Sequence, residues 1–320
     1  MKIIATLLVA AVLPLSALSQ AWPSAKPIRI IVPFAPGGNV DITARTIAPG
    51  LGEAIGQTVV VENRTGAGGV LGADLVAKAP ADGYTLLMGS NSTVSVAPAL
   101  NPRNPYHPIR DFAPVALLAA TPFVLVAHPS VPAKNVGELI AFAKANPGSL
   151  TMASGGNGSS NHLVGELFQS VTGTKLLHVP YKGAGAVAAD LMGGQVQLLF
   201  DQLAASTPNI KSGRIKAIAV TSATRASVVP DVPTMVESGI KDMDVINITG
   251  VLAPAGTPPE VIARLNAALQ KVLLRPEVRE RFSVLGVTAL GGAPEEFSNF
   301  IRDDFAKWTK VIKDANIKAE

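Results

Sequence analysis

IRIIVPFAPGGNVD, residues 28–41, carries an apolar strand into Pro36-Gly37-Gly38 and starts a helical pattern directly after it. A strand, a glycine turn and a helix in that order form the repeating unit of an α/β protein. The same order builds an anion cradle. Glycines without side chains let a ligand approach the backbone, and the unpaired N–H groups of the helix start point at it with the positive end of the macrodipole behind them. A carboxylate or a phosphate suits such a cradle. An ordinary βα turn that binds nothing has the same local sequence, so this stretch alone leaves both readings open.

Upstream, Lys2 precedes an apolar run from Ile3 to Val12, followed by Pro14 and small residues around Ala17, Ser19 and Ala21. This is the pattern of a secretory signal peptide over residues 1–21, too short for the roughly 20 apolar residues that span a bilayer. Cleavage is expected after Ala21, with Ser19 as the alternative, giving a soluble protein located in the periplasm. The chain has 0 Cys, so no disulfide holds it and no lipidated cysteine anchors it. Such a chain must fold on its apolar core alone.

Composition fits that demand, with 48% hydrophobic and 16% charged residues. Roughly 300 residues remain after the signal, more than one core usually serves, so two lobes are expected. Net charge is +4, the basic residues are scattered and aromatics are 5%, which argues against nucleic acid as a partner.

Strand-like runs alternate with helical patterns along the whole chain, the signature of doubly wound parallel sheets. In the first unit strands are expected at Ile28 to Pro33, Thr58 to Glu62 and Thr85 to Gly89, with a helix near Val40 to Ile55 that Pro49-Gly50 should kink or break. A second helix follows Gly66-Ala67-Gly68-Gly69. The proline-rich stretch Pro98 to Pro114 reads as an irregular surface loop. Phe123 to Ala127 then opens a second unit. Its helices are expected at 136–145, 161–171 and 187–192, and its strands at 150–153, 196–200 and 215–221. A strand returns over 245–252, and helices fill 259–274 and 295–315. Apolar segments near 115–127 and 245–254 read as crossovers, which places 22–124 plus 246–320 in lobe 1 and 125–245 in lobe 2, with a ligand cleft between them.

Several motifs occur in one order: VPFAPGG with Asp41, VVVENRTGAGG (59–69), DGYTLLMG (82–89), DFAPV (111–115), ASGGNGSSNHL (153–163), HVPYKG (178–183), GGQV (193–196) and APAGTP (253–258). Together they resemble the Bug-type receptors, the extracytoplasmic solute-binding proteins of tripartite tricarboxylate transporters, over almost the whole mature chain. The resemblance implies a two-lobed periplasmic binding protein fold, similar to type II, that closes on a small organic carboxylate and presents it to membrane permease subunits. It implies a monomer without cofactor, metal or catalytic residue. It also implies ligand contacts from Phe34, Ala35, Gly37 and Gly38; from Ser90, Asn91, Ser92 and Thr93; from Ser154, Gly155, Asn157 and Ser159; and from Tyr181, Lys182, Gly183 and Ala184. Asp201, after a strand end, matches a variable family position suited to reading an ammonium or hydroxyl on the far end of the ligand; capping a helix is its other reading. The chain departs from the pattern at Ala186, Ile248 and Val94, which suggests a roomier pocket with one polar reader fewer.

Blander roles weigh against several of these residues. Asp41 and Arg45, spaced i to i+4, suit a helix pair or loop brace, and Glu62-Asn63-Arg64 suits ordering of a turn. Lys182 stands evenly between counter-ion and solvated rim residue. None of the 4 His residues has metal-ligand spacing, and His162 alone lies near the expected site. Gly66 to Gly72 departs from the GxGxxG dinucleotide pattern and lacks the ribose-binding acid. A periplasmic hydrolase acting on a small anion is the alternative class, although no serine sits in GxSxG or SxxK.

Overall fold

The computed structural model describes residues 22–183 and 187–314. The expected signal peptide, Ala184 and Ala186 lie outside the described residues. β1 (Ile28–Val32), β2 (Val59–Asn63) and β3 (Thr85–Ser90) pair in parallel with β1 in the middle. β1 and β3 are almost wholly buried because helices cover both faces, which is why they read as continuous apolar runs. α1 (Asn39–Ile55) and α2 (Val70–Ala77) follow β1 and β2. α1 runs unbroken through Pro49, so the expected break does not occur. Ile47, Leu51 and Ile55 of α1 are buried in the core with Ile28, Ile30 and Leu86, and that packing outweighs the local disruption by proline.

After β3 the chain makes a π-type turn over Ser92–Val96 and then α3 (Ala97–Leu100), so the proline-rich stretch begins as helix. It also ends as strand. β4 (Phe112–Ala127) starts eleven residues before the expected strand, with Pro114 beside a register shift where a missing N–H is tolerated. β4 pairs antiparallel with β9 (Ile246–Pro254) from Phe112 to Pro122. From Phe123 onward it pairs with β7 (Leu198–Gln202) and β8 (Lys216–Val220). The strand thus leaves one lobe and enters the other at Pro122. Thr221 ties the two crossing segments together there: its Oγ1 accepts from the Phe123 N–H at 2.9 Å and donates to the Val245 carbonyl at 2.6 Å.

In the second lobe β5 (Thr151–Ser154) lies parallel between β6 (Leu177–Pro180) and β7. α4 (Val136–Ala145), α5 (Ser160–Thr172), α6 (Val187–Met192) and α7 (Leu203–Lys211) cover this sheet. The strand order is β2-β1-β3-β9-β4-β7-β5-β6, with β8 and β10 (Thr288–Ala289) also on β4. The two lobes therefore share one curled, mixed sheet. Among the strands of the described residues, β2-β1-β3 and β6-β5-β7 pair in parallel; β9 runs antiparallel to β3 because the chain returns from the other lobe.

α8 (Pro259–Leu273), α9 (Pro276–Leu285) and α10 (Pro294–Asp314) close the fold. α9, α7 and β10 were absent from the expected elements. α10 braces both lobes: Phe297 and Ile301 pack with Ile31 and Leu87, whereas Trp308 and Ile312 pack with Phe123 and Phe168. Ile248 and Val94 lie in one core cluster with Phe297.

A Cβ at Gly250 in β9 would sit 2.5 Å from the Phe297 ring and 2.8 Å from the Ala116 carbonyl oxygen. Gly250→Ala is therefore expected to cost about 1–3 kcal/mol by overpacking. The urea midpoint should fall with an unchanged m-value; an unchanged midpoint would refute the packing of α10 on the crossing strands.

Candidate functional site

The loop after β1 is held by one carboxylate. Asp41 is only 3% exposed, and its Oδ2 accepts from the Gly37 N–H at 3.0 Å while Oδ1 accepts from Asn63 Nδ2 at 2.9 Å and Arg45 Nε at 3.0 Å. Asn63 Nδ2 also reaches the Phe34 carbonyl at 2.9 Å, and Arg45 Nη2 donates to Asn63 Oδ1 at 2.8 Å. Burial pushes the Asp41 carboxyl up, but hydrogen bonds from Arg45, Gly37 and Asn63 outweigh it and keep the group below the ordinary carboxylate range. The Gly37 N–H is therefore taken up inside the loop. Gly37, at φ +85°, shapes the turn, and the donors left facing the cleft begin at Gly38. Gly38 is extended and no side chain caps α1.

Across the cleft α5 begins after Ser159, whose Oγ accepts from the His162 N–H at 3.4 Å. The Ser160 N–H donates to Ser92 Oγ of the first lobe at 2.7 Å, a direct bond between lobes. Asn161 Nδ2 donates to the Phe200 carbonyl at 2.6 Å. α7 begins after Gln202, again without a side-chain cap. Gly38, Asn39 and Val40 of α1, Asn161 of α5 and Gln202 line one small cavity of about 20 Å³ with Phe34, Ser90 and Ser92. Three helix N-termini thus meet around one polar space, each worth roughly half a positive charge. No lining residue is charged.

A larger cavity, about 250 Å³, lies alongside and shares Phe34. Its walls are rich in glycine: Gly66–Gly69 from lobe 1, with Gly155–Asn157 and Pro180–Gly183 from lobe 2. At Gly68 (φ +63°) a Cβ would lie 2.6 Å from the Asn157 carbonyl oxygen, and at Gly183 (φ +117°) one would lie 2.8 Å from the Ala35 nitrogen. Glycine is required at both points for the lobes to meet.

Two stacked histidines stiffen the second-lobe loop. The His162 and His178 rings lie 4.1 Å apart at 16°. Burial first, and then the neighbouring His178, push the His162 pKa down to about 4, so it is neutral at pH 7 and accepts the Gly158 N–H on Nδ1. Ser154 Oγ is 2.7 Å from His178 Nε2, the spacing of a nucleophile and base. Ser154 is nonetheless fully buried, and its Oγ also accepts the Gly156 N–H at 3.1 Å. That makes it a loop brace.

The expected residues divide among these spaces. Phe34, Gly38, Ser90 and Ser92 line the polar cavity; Gly155, Asn157, Tyr181, Lys182 and Gly183 line the glycine-walled one. Ala35 touches Gly183, and Ser159 starts α5. Asn91 joins Asp304 of α10 to the Ile248 N–H, and Thr93 Oγ1 accepts from the Ser90 N–H. Both hold the framework in this conformation. Asp201 shares a separate cavity of about 40 Å³ with Gly37, and its oxygens accept from the Gln202 N–H at 2.9 Å and Ser206 Oγ at 2.7 Å. Burial pushes its pKa up to about 6, against the pull of those two bonds. Asn39, Asn161, Gln202 and the Gly66–Gly69 loop were not among the expected contacts. The glycine run carried a signal, read as a helix-opening turn, a family motif and a failed dinucleotide motif but not as a ligand contact; Gln202 carried none, because α7 was not foreseen. Among the described residues no group of three or more His, Asp or Glu side chains is placed to hold a metal.

A two-lobed α/β chain whose cleft is lined mainly by glycines, amides and neutral polar groups has the form of a solute-binding protein. The chain belongs to the tripartite tricarboxylate transporter receptor family (TctC), whose family model matches residues 43–317. It is a solute-binding receptor and not an enzyme, which sets aside the hydrolase alternative. The periplasmic binding protein BugD is 37% identical, with a TM-score of 0.89 over 92% of this chain and 99% of that one. MatC from Rhodopseudomonas palustris, solved with bound malate, is 35% identical at a TM-score of 0.87 over 90% and 99% of the two chains. Rpa4515 from R. palustris, solved with adipate, is 35% identical at 0.89 over 93% and 99%. Among the described residues no helix is long and apolar enough to cross a membrane.

The Asp201 environment makes a signed prediction. Its folded-state pKa stands above the unfolded value, so the folded state holds a proton that the unfolded state releases first, and stability falls as pH rises from about 4 to about 6. Asp201→Asn removes that loss. Its melting temperature should match the wild type near pH 4 and exceed it increasingly up to about pH 6, then level off; a variant less stable at pH 7 would show that the ionised carboxylate is needed as a cap.

Proposed function

We propose that this chain is a periplasmic receptor that captures a small organic carboxylate between its lobes and hands it to membrane transporter subunits. The observation that carries the reading is the meeting of the α1, α5 and α7 N-termini, from opposite lobes, on one uncharged polar cavity. A carboxylate there accepts backbone and side-chain N–H bonds and benefits from three aligned dipoles. The remainder of the ligand occupies the glycine-walled space, where Lys182 stands at the rim and Tyr181 is held by its hydroxyl on Asp190 at 2.6 Å. Malate and adipate, bound by two relatives, are carboxylates of the size this arrangement suits. The proposed lobes are 22–124 plus 246–320 and 125–245, turning about Pro122 and Thr221. A leader over residues 1–21 directs export.

Native mass spectrometry of the protein purified from periplasm identifies the resident ligand, and calorimetry with malate and adipate then tests the cradle. Gly38→Val puts a side chain into the polar cavity at a backbone φ of −77°, which valine adopts without strain. Loss of two charge-assisted hydrogen bonds should weaken binding by about 100-fold or more with an unchanged far-UV spectrum. Undiminished affinity would refute the site.

Closure is tested separately by Gly183→Ala. The added methyl meets the Ala35 backbone only when the lobes are shut, so ligand should contract the wild-type radius of gyration in small-angle scattering and contract the variant less. Equal contraction would show that the Tyr181–Gly183 loop does not take part in closing.

A further inference from the structure

A cavity of about 640 Å³ lies apart from the cleft and shares no lining residue with the two cavities proposed for the carboxylate. Its floor is formed by the crossing strands themselves, at Ala120 to Pro122 of β4 and Ile246 of β9. One wall is the 222–227 loop after β8; the other is the C-terminal half of α9 and the start of β10. An occupant would therefore touch both lobes and both crossing strands.

The chemistry of the lining is one-sided. Its two charged residues are Arg225 and Arg279, and no carboxylate lines it. Arg225 is neutralised by Glu237 at 2.9 Å. Arg279 makes no ion pair among the described residues; its Nε only meets the Leu273 carbonyl at 3.3 Å. Exposed hydroxyls flank it on both walls, Ser227 on one and Ser283 and Thr288 on the other. Ile246 is 44% exposed and lines the cavity together with Pro122 and Ala289 as an apolar strip. A guanidinium with free donors, hydroxyls and an adjoining apolar strip match a carboxylate with a hydrocarbon tail.

We propose that this cavity is a second ligand site, for an amphipathic monocarboxylate, anchored by Arg279 and independent of the cleft. The test uses octanoate as the probe, with octylammonium as the control of opposite charge. In amide-resolved NMR of the folded, exported chain, octanoate should shift signals of 222–227 and 279–289, saturate, and leave the Gly38 and Gly183 signals unchanged when the cleft is filled with adipate or malate. Octylammonium should not do so. Arg279→Glu, an exposed substitution whose melting curve checks the fold, should weaken octanoate at least 10-fold while calorimetric affinity for the cleft ligand stays constant. Equal octanoate affinity in Arg279→Glu, equal binding of octylammonium, or shifts confined to the cleft would overturn the proposal. The octanoate shifts of 222–227 and 279–289, and their loss in Arg279→Glu, do not depend on the cleft assignment, because the cleft can be left empty and these signals followed alone.

Discussion

Helix starts that lack a capping side chain must find acceptors elsewhere, and here α1 and α7 both point such starts into the space between the lobes. The rest of the design follows from serving that polar meeting point. Charged side chains are kept off its lining, because a carboxylate would repel an anionic ligand and a lysine would hold it whatever its shape. Asp41, at the start of α1, is turned away to the Gly37 N–H, Arg45 and Asn63, so its charge fixes the loop without facing the cavity. Serine hydroxyls and amide side chains supply the remaining polarity of this space.

Bringing those helix starts together requires the lobes to approach backbone to backbone. Gly68 against Asn157 and Gly183 against Ala35 meet at distances no side chain permits. The approach is guided by β4 and β9, which belong to both lobes and are tied at Thr221, and by α10, whose two halves pack on different cores. Two strands and one helix shared in this way restrict the lobes to a narrow set of relative motions. The second loop gains its stiffness differently, from a neutral buried His162 stacked on His178 and from Ser154, whose hydroxyl serves the turn.

Sequence alone determined the α/β alternation, most strand positions, the glycine loop at 36–38 and the family resemblance, because each is written in contiguous residues: period-two or continuous apolar runs, glycine at turns, small polar residues at helix starts. It also supplied Phe34, Gly38, Ser90 and Ser92 for the polar cavity. What it did not determine were features set by partners distant in the chain. α1 stays whole through Pro49 because Ile47 and Leu51 are locked into the core; α7 and α9 exist because Thr207 Oγ1 and Leu285, Ala204 and Phe282 pack on one another across 78 residues of sequence. The mixed sheet, the place of Asp201 beside Ser206 instead of among the cavity residues, and the joining of Asn39, Asn161 and Gln202 at one point were decided by tertiary structure. A local pattern can specify that a helix begins, but the direction in which its first amides point depends on how the sheet beneath it curls and on which strand the chain returns.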